Sequence, residues 1–221
     1  MAIKEAIQNR RTIRCFLPDP VPEETIKEVI CDALWAPSWK NAQPWEIVIA
    51  SGEILEQFKK QNKEALLAGK TSIPDLPIPK GLPDPFQKRY ADLNRQVYEA
   101  LSMDEKDTSA RVQYYADMYA LFGAPALILT MLDKSLAIEY AMLDIGLFVQ
   151  SLCLLAQERS LGTAILSAAV HCPSIVHRIF AIPDSKLLVV GIALGWPDKN
   201  APVNTFQRKR GAIEEFVRWV Y

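Results

Sequence analysis

The sequence predicts an α+β domain in which a central mixed sheet is covered by helices on both faces. Half of the 221 residues are hydrophobic, enough for one domain with a substantial core. Short β-branched and aliphatic runs, bounded by proline or glycine, alternate with longer segments of helical period. That alternation is what a layered sheet-and-helix domain requires.

Taken in order, Ile3, Ala6 and Ile7 share one helical face at the N-terminus. Pro18, Pro20 and Pro22 then forbid helix through RRTIRCFLPDPVP and leave an extended arm. Pro22 can open a new helix, with Glu23 and Glu24 complementing its dipole and Ile26, Val29, Ile30 and Ala33 on its inner face. That helix is expected to end at Ala36-Pro37. WEIVIAS reads as a buried strand between Pro44 and Gly52, and EILEQFKKQNKEALLAG as a helix closed by glycine. TSIPDLPIPKGLPDP, Thr71 to Pro85, is too rich in proline for regular structure and suits a peripheral excursion covering a pocket. FQKRYADLNRQVYEAL and TSARVQYYADMYALF are helical, so the excursion occupies about 71–122 within a single domain of residues 1–221.

APALILTML is the next strand, followed by a buried helix after Ser135. Its most apolar stretch, Ala141 to Ala156, falls short of the roughly 20 residues of a membrane span and contains Asp144 and Gln150. GTAIL, a helix after Pro173, and KLLVVGIALGWP complete the core. The tail keeps Phe216, Val217, Trp219, Val220 and Tyr221 apolar, so it must dock, on its own domain or on a second copy.

Composition narrows the function. A net charge of -1, with no long basic or acidic block, argues against nucleic acid or membrane as partner and favours a small molecule. Cys15, Cys31, Cys153 and Cys172 form no C-x-x-C, which suits buried thiols in a reducing compartment; with no apolar leader, the location expected is cytoplasmic. His171 and His177, flanking a short helix, fit no common zinc spacing, so no metal is expected. Phosphate-loop, dinucleotide and nucleophile-elbow motifs are missing, and nine glycines leave little for a glycine-rich cradle.

Positive charge gathers instead in RRTIR (Arg10, Arg11, Arg14) and QRKR (Arg208, Lys209, Arg210). Their forked donors could converge on one phosphate, or simply form solvated basic faces. APSWKNAQPW offers Asn41 and Gln43, which donate and accept as a planar heterocycle requires, and Trp39 or Trp45 as dry neighbours. Each of these residues alone is equally served by turn or core packing. In combination they suit a flavin mononucleotide.

RRTIRCF, PSWKNAQPW, DIGLFVQSLCLLAQERSLGT and GWPDKNAPVNTFQRKR together resemble the FMN-dependent nitroreductase family over essentially the whole chain, in the branch with nitrobenzoate and nitrophenol reductases. The resemblance implies a nitroreductase-like three-layer fold and a homodimer with FMN sites at the subunit interface and an exchanged C-terminal segment. Arg10, Arg11, Thr12 and Arg14 would bind FMN, with Thr12 where serine is usual, and Arg208 and Arg210 would reach its phosphate. Pro37, Ser38 and Asn41 would come from the second subunit, with Gln43 a further contact. Backbone N–H groups of Ser167 and Ala168 would face flavin N5, although AILSAA lacks the usual glycine or acidic residue. Arg14, near the pyrimidine end, would favour a reduced, negatively charged flavin.

The activity implied is transfer of two electrons from NADH or NADPH through FMN to a nitroaromatic, quinone or enone, without a protein nucleophile. Tyr115, Tyr119 and Phe122 could line a wall for an aromatic acceptor, though their helical spacing suits core packing better. Reductive dehalogenation, flavin destruction, or storage of FMN without catalysis are the alternatives, separated by NAD(P)H turnover with an added acceptor.

Overall fold

A computed structural model describes residues 2–70, 73–79 and 81–221. Met1 and, from the proline-rich segment, Thr71, Ser72 and Lys80 lie outside the described residues. The strands are β1 (Glu46–Ser51), β2 (Ala126–Asp133), β3 (Gly162–Leu166) and β4 (Lys186–Gly195), in the order β1-β2-β4-β3. The helices are α1 (Ile3–Asn9), α2 (Glu23–Ala33), α3 (Gly52–Leu67), α4 (Phe86–Ala100), α5 (Thr108–Tyr119), α6 (Ile138–Glu158), α7 (Pro173–Phe180) and α8 (Pro202–Thr205).

The α+β expectation is borne out. These strands pair antiparallel throughout, and the parallel component of the expected mixed sheet is confined to an isolated bridge between Thr12 and Thr163. Central β2 is buried on both faces. Ala126, Ile128 and Leu132 face α2 and α6, while Leu127, Leu129 and Met131 face α3 and α7, the alternation that a pleated strand imposes. A bulge opposite Thr130/Met131 adds one residue to β4, so Ile192 and Leu194 share the α2/α6 face with Val189 and Leu187. Asp75 accepts from Leu188 N at 2.9 Å beside that bulge. The proline-rich segment thus reaches back to the core instead of staying peripheral.

Several boundaries differ from the sequence expectation. Pro22 occupies the N-cap of α2, and that helix stops at Ala33, three residues before Ala36. Helix α6 runs 21 residues, longer than its apolar stretch, and by length and composition alone could cross a membrane. Its inner face, with Phe148 stacked on Trp45 at 5.3 Å, belongs instead to the core between α2 and the sheet. The outer face carries exposed Tyr140, Leu143 and Leu147. His177 lies inside α7, not at its flank. The four cysteines are free as expected, but only Cys153 and Cys172 are buried, and Cys31 is exposed.

Candidate functional site

The arm after α1 is fastened to the sheet edge. Ile13 N donates to Thr163 O at 2.9 Å and Leu17 N to Trp196 O at 2.8 Å, while Phe16 bridges Pro197. Gly162 makes this approach possible, because a Cβ there would stand 2.5 Å from Ile13 Cγ1. Extended backbone then alternates buried Ile13 with Thr12 and Arg14, which with Arg10 line a cavity of about 750 Å³.

The tail reaches the same cavity. Arg208 donates to the carbonyls of Arg10 and Gln8, so the two basic runs, 198 residues apart, meet. The arm contributes Arg10, Arg11 and Arg14, the tail Arg208, Lys209 and Arg210, and α4 Lys88 and Arg89; Asp92 and Glu215 are the acids. Burial, then repulsion from Arg11, Arg210 and Arg10, pushes the Arg208 guanidinium below its ordinary pKa. Burial alone does the same to Arg11. Arg208 Nε is buried without a hydrogen-bond partner. An arrangement of like charges with a spare donor suits a phosphate, whose dianion would relieve the repulsion and accept the donor. The cavity's size is ordinary for a small-molecule site.

Asn204, which sequence reasoning missed, organises this junction. Its buried side-chain amide accepts from Arg14 N at 2.8 Å and donates to Cys15 O at 2.7 Å and Asp198 O at 2.9 Å; its backbone carbonyl accepts from Arg11 Nη1. The signal available was an asparagine after Ala-Pro-Val, which nothing local marks as buried. Arg14 is further held by Tyr114, whose hydroxyl accepts from Nε at 3.1 Å. Tyr114 and Arg14 also line a second cavity of about 1080 Å³, between α3, α5 and the arm.

The remaining expected residues do not join the arginine cavity within one protomer. Pro37, Ser38, Asn41 and Gln43 lie on a tight loop over α6, where Lys40, Asn41 and Gln43 adopt positive φ of 49°, 58° and 48°. Gln43 N donates to Ser38 Oγ at 2.9 Å and its amide to Asn41 O at 3.4 Å. Trp39 N donates to buried Asp144 Oδ1 at 3.0 Å, which fixes the loop on α6. Asn and Gln tolerate left-handed backbone better than branched residues, so their local role here is turn geometry. Trp45 is core.

Ser167 and Ala168 form a 3-10 turn after β3, Ser167 exposed and Ala168 buried. Buried Asn62 of α3 clamps it by donating to Ala168 O at 3.0 Å and Tyr119 O at 2.9 Å. The aromatics diverge: Tyr119 hydrogen-bonds His171 Nδ1 at 2.8 Å, Phe122 is buried at the wall of the larger cavity, and Tyr115 packs on Tyr114. Burial and the neighbouring Tyr98 and Tyr90 push the Tyr115 phenol up to about 12. Burial pushes the His171 imidazole below its ordinary pKa. Among the described residues no group of three His, Cys, Asp or Glu could hold a metal.

A three-layer α+β domain with a cationic cavity closed between its N-terminal arm and its tail defines a class: a small-molecule protein that takes a phosphorylated ligand. The chain belongs to the nitroreductase family, whose model matches residues 7–196. It is 31% identical to a 4-nitrobenzoate reductase of Pseudomonas putida over 97% of this chain and 93% of that protein. The structure resembles the FMN and NADPH-dependent nitroreductase NfnB of Sphigopyxis sp. strain HMH, with a TM-score of 0.94 at 26% identity and all of both chains covered. It also resembles the FMN-dependent NfnB of Mycobacterium smegmatis in complex with NADPH, with a TM-score of 0.92 at 26% identity, covering 99% of this chain and 97% of that one.

Proposed function

We propose that this protein is an FMN-dependent oxidoreductase that takes reducing equivalents from NADH or NADPH and passes them to nitroaromatic or related acceptors. The observation that carries the reading is the meeting of Arg10 and Arg208 on one cavity, with Arg208 Nε unsatisfied. Bound FMN supplies the redox chemistry, exchanging two electrons between the nicotinamide donor and the acceptor. Arg10, Arg208 and Arg210 hold its phosphate, and Arg11 braces the junction through Asn204. Thr12 presents a hydroxyl beside them. Arg14, fixed by Asn204 and Tyr114, sets a positive charge where negative charge on an adjacent ring is stabilised. Phe206, Phe216 and Leu93 of the tail and α4 give the cavity apolar walls. Relatives named for nitrobenzene, 4-nitrobenzoate and chloronitrobenzene support the acceptor class.

The site is completed in a homodimer, with Pro37, Ser38, Asn41 and Gln43 supplied by the second copy and Ser167 and Ala168 offering backbone donors from the first. Two features support this. The loop is absent from its own protomer's arginine cavity, and α6 exposes Leu143 (63%) while the tail exposes Trp219 (70%). The free thiols fit a cytoplasmic location.

The test is the visible spectrum of the purified protein and the mass of any chromophore released on denaturation. FMN, NAD(P)H consumed in proportion to added nitroaromatic, and a dimeric mass establish the reading. A colourless protein that does not bind added FMN ends it. Bound FMN without turnover leaves only a binding module, and a monomer that retains FMN removes the shared site.

A further inference from the structure

The arginine cavity holds more positive charge than one phosphate needs. Eight basic side chains line it against two acids, whereas a phosphomonoester carries close to two negative charges at pH 7. With Arg10, Arg208 and Arg210 assigned to the flavin phosphate, Lys88 and Arg89 stand apart on a different element. Both fall in the first four residues of α4, whose opening turn contains no carboxylate. Cations there oppose the helix dipole, which favours negative charge at that end. Arg89 is partly answered by Glu215, at 2.5 Å, and by the ring of Phe216, 4.9 Å from its guanidinium carbon. Exposed Lys88 has no ion-pair partner within 4.0 Å among the described residues.

We propose that Lys88 and Arg89 bind the 2′-phosphate of NADPH and make NADPH the preferred donor. The inference rests on the reductase reading above. NADH and NADPH differ only in that phosphate, so the discriminating group must be cationic and separate from the side chains that serve FMN. Lys88 offers a point charge and Arg89 a fork, the two usual means of engaging a phosphate. The arm and tail supply the other six basic groups, so α4 alone can vary this preference without disturbing the flavin phosphate.

The test uses the FMN-loaded protein. Steady-state kcat/KM is measured with NADPH and NADH for the wild type, Lys88→Ala, Lys88→Glu, Arg89→Gln and a control, Lys60→Ala, in the larger cavity. Calorimetry compares adenosine 2′,5′-bisphosphate with 5′-AMP. The wild type is expected to prefer NADPH at least tenfold. Lys88→Ala should lower the NADPH/NADH ratio about tenfold, as for one charged hydrogen bond, and weaken bisphosphate binding by a similar factor. Lys88→Glu should lower both further, and Lys60→Ala should leave the ratio in place. Parity between the donors in the wild type, or an equal fall with both donors in the Lys88 variants, overturns the proposal. If the wild type binds no FMN or turns over neither donor, the reductase reading fails. The bisphosphate comparison then decides the α4 site by itself, and equal affinity for the two adenosine phosphates sinks it.

Discussion

Replacing Asn204 with alanine should loosen the whole junction between arm and tail, and the cost can be worked from its contacts. The amide accepts from Arg14 N and donates to the carbonyls of Cys15 and Asp198. Those two carbonyls keep a second donor each, Asp198 N at 3.1 Å and Ala201 N at 3.4 Å, so they lose only part of their satisfaction. Arg14 N loses its partner outright. An orphaned buried group costs about 1–3 kcal/mol, and each weakened carbonyl about 0.5–1 kcal/mol, giving about 2–5 kcal/mol in all. Urea unfolding of FMN-free protein measures this directly. Arg11 keeps its partner, the backbone carbonyl of residue 204, but Arg14 loses its anchor, so FMN affinity, read by quenching of flavin fluorescence, should fall about tenfold. A variant within about 0.5 kcal/mol of the parent, with unchanged FMN affinity, would refute the view that Asn204 organises the junction.

Arg208→Ala should lower FMN affinity about ten- to a hundredfold and flatten its salt dependence, while Arg208→Lys recovers only part because the fork is lost; an unchanged titration removes Arg208 from the phosphate site. Gly162→Ala drives a methyl into Ile13 and should cost about 1–3 kcal/mol of stability and weaken FMN retention by shifting the arm; unchanged melting and flavin content would show that the arm yields freely. Ser135 and then Lys186 hold the Asp133 carboxyl well below the usual carboxylate range. Since its folded pKa lies below the unfolded one, its contribution is complete above about pH 4 and drains away as pH falls below that. Asp133→Asn should therefore reduce the acid sensitivity of unfolding below pH 4 and leave the neutral-pH slope alone; identical acid profiles would contradict it. Phe148→Ala should cost about 3–5 kcal/mol, because the ring fills the interior against Trp45; a loss under 1 kcal/mol would mean that the site collapses around the gap.

The strands and principal helices were legible because each carries its own period and its own stop. WEIVIAS between Pro44 and Gly52, GTAIL after a helix end, and the proline-punctuated arm declare their conformations within a few residues. The basic character of the site was equally legible, since charge is a property of composition. Local signals did not mark the α8 turn, the bulge in β4 or the burial of Asn204. Each depends on what a distant segment presents: Thr130 opposite the bulge, Cys15 and Asp198 around the amide. Resemblance named Arg10 and Arg208 together, but their meeting is a product of folding, made by Ile13 seated over Gly162 and by the tail returning past Pro197. The sequence by itself determined which segments are strand, helix and extended arm, and that a short basic run lies near each end, because backbone preference and charge are local. Only the tertiary structure decided that those ends form one cavity, that α4 adds two further cations to it, and that the Pro37–Gln43 loop lies elsewhere. Such juxtapositions are fixed by packing between residues far apart in the chain, which no local period encodes.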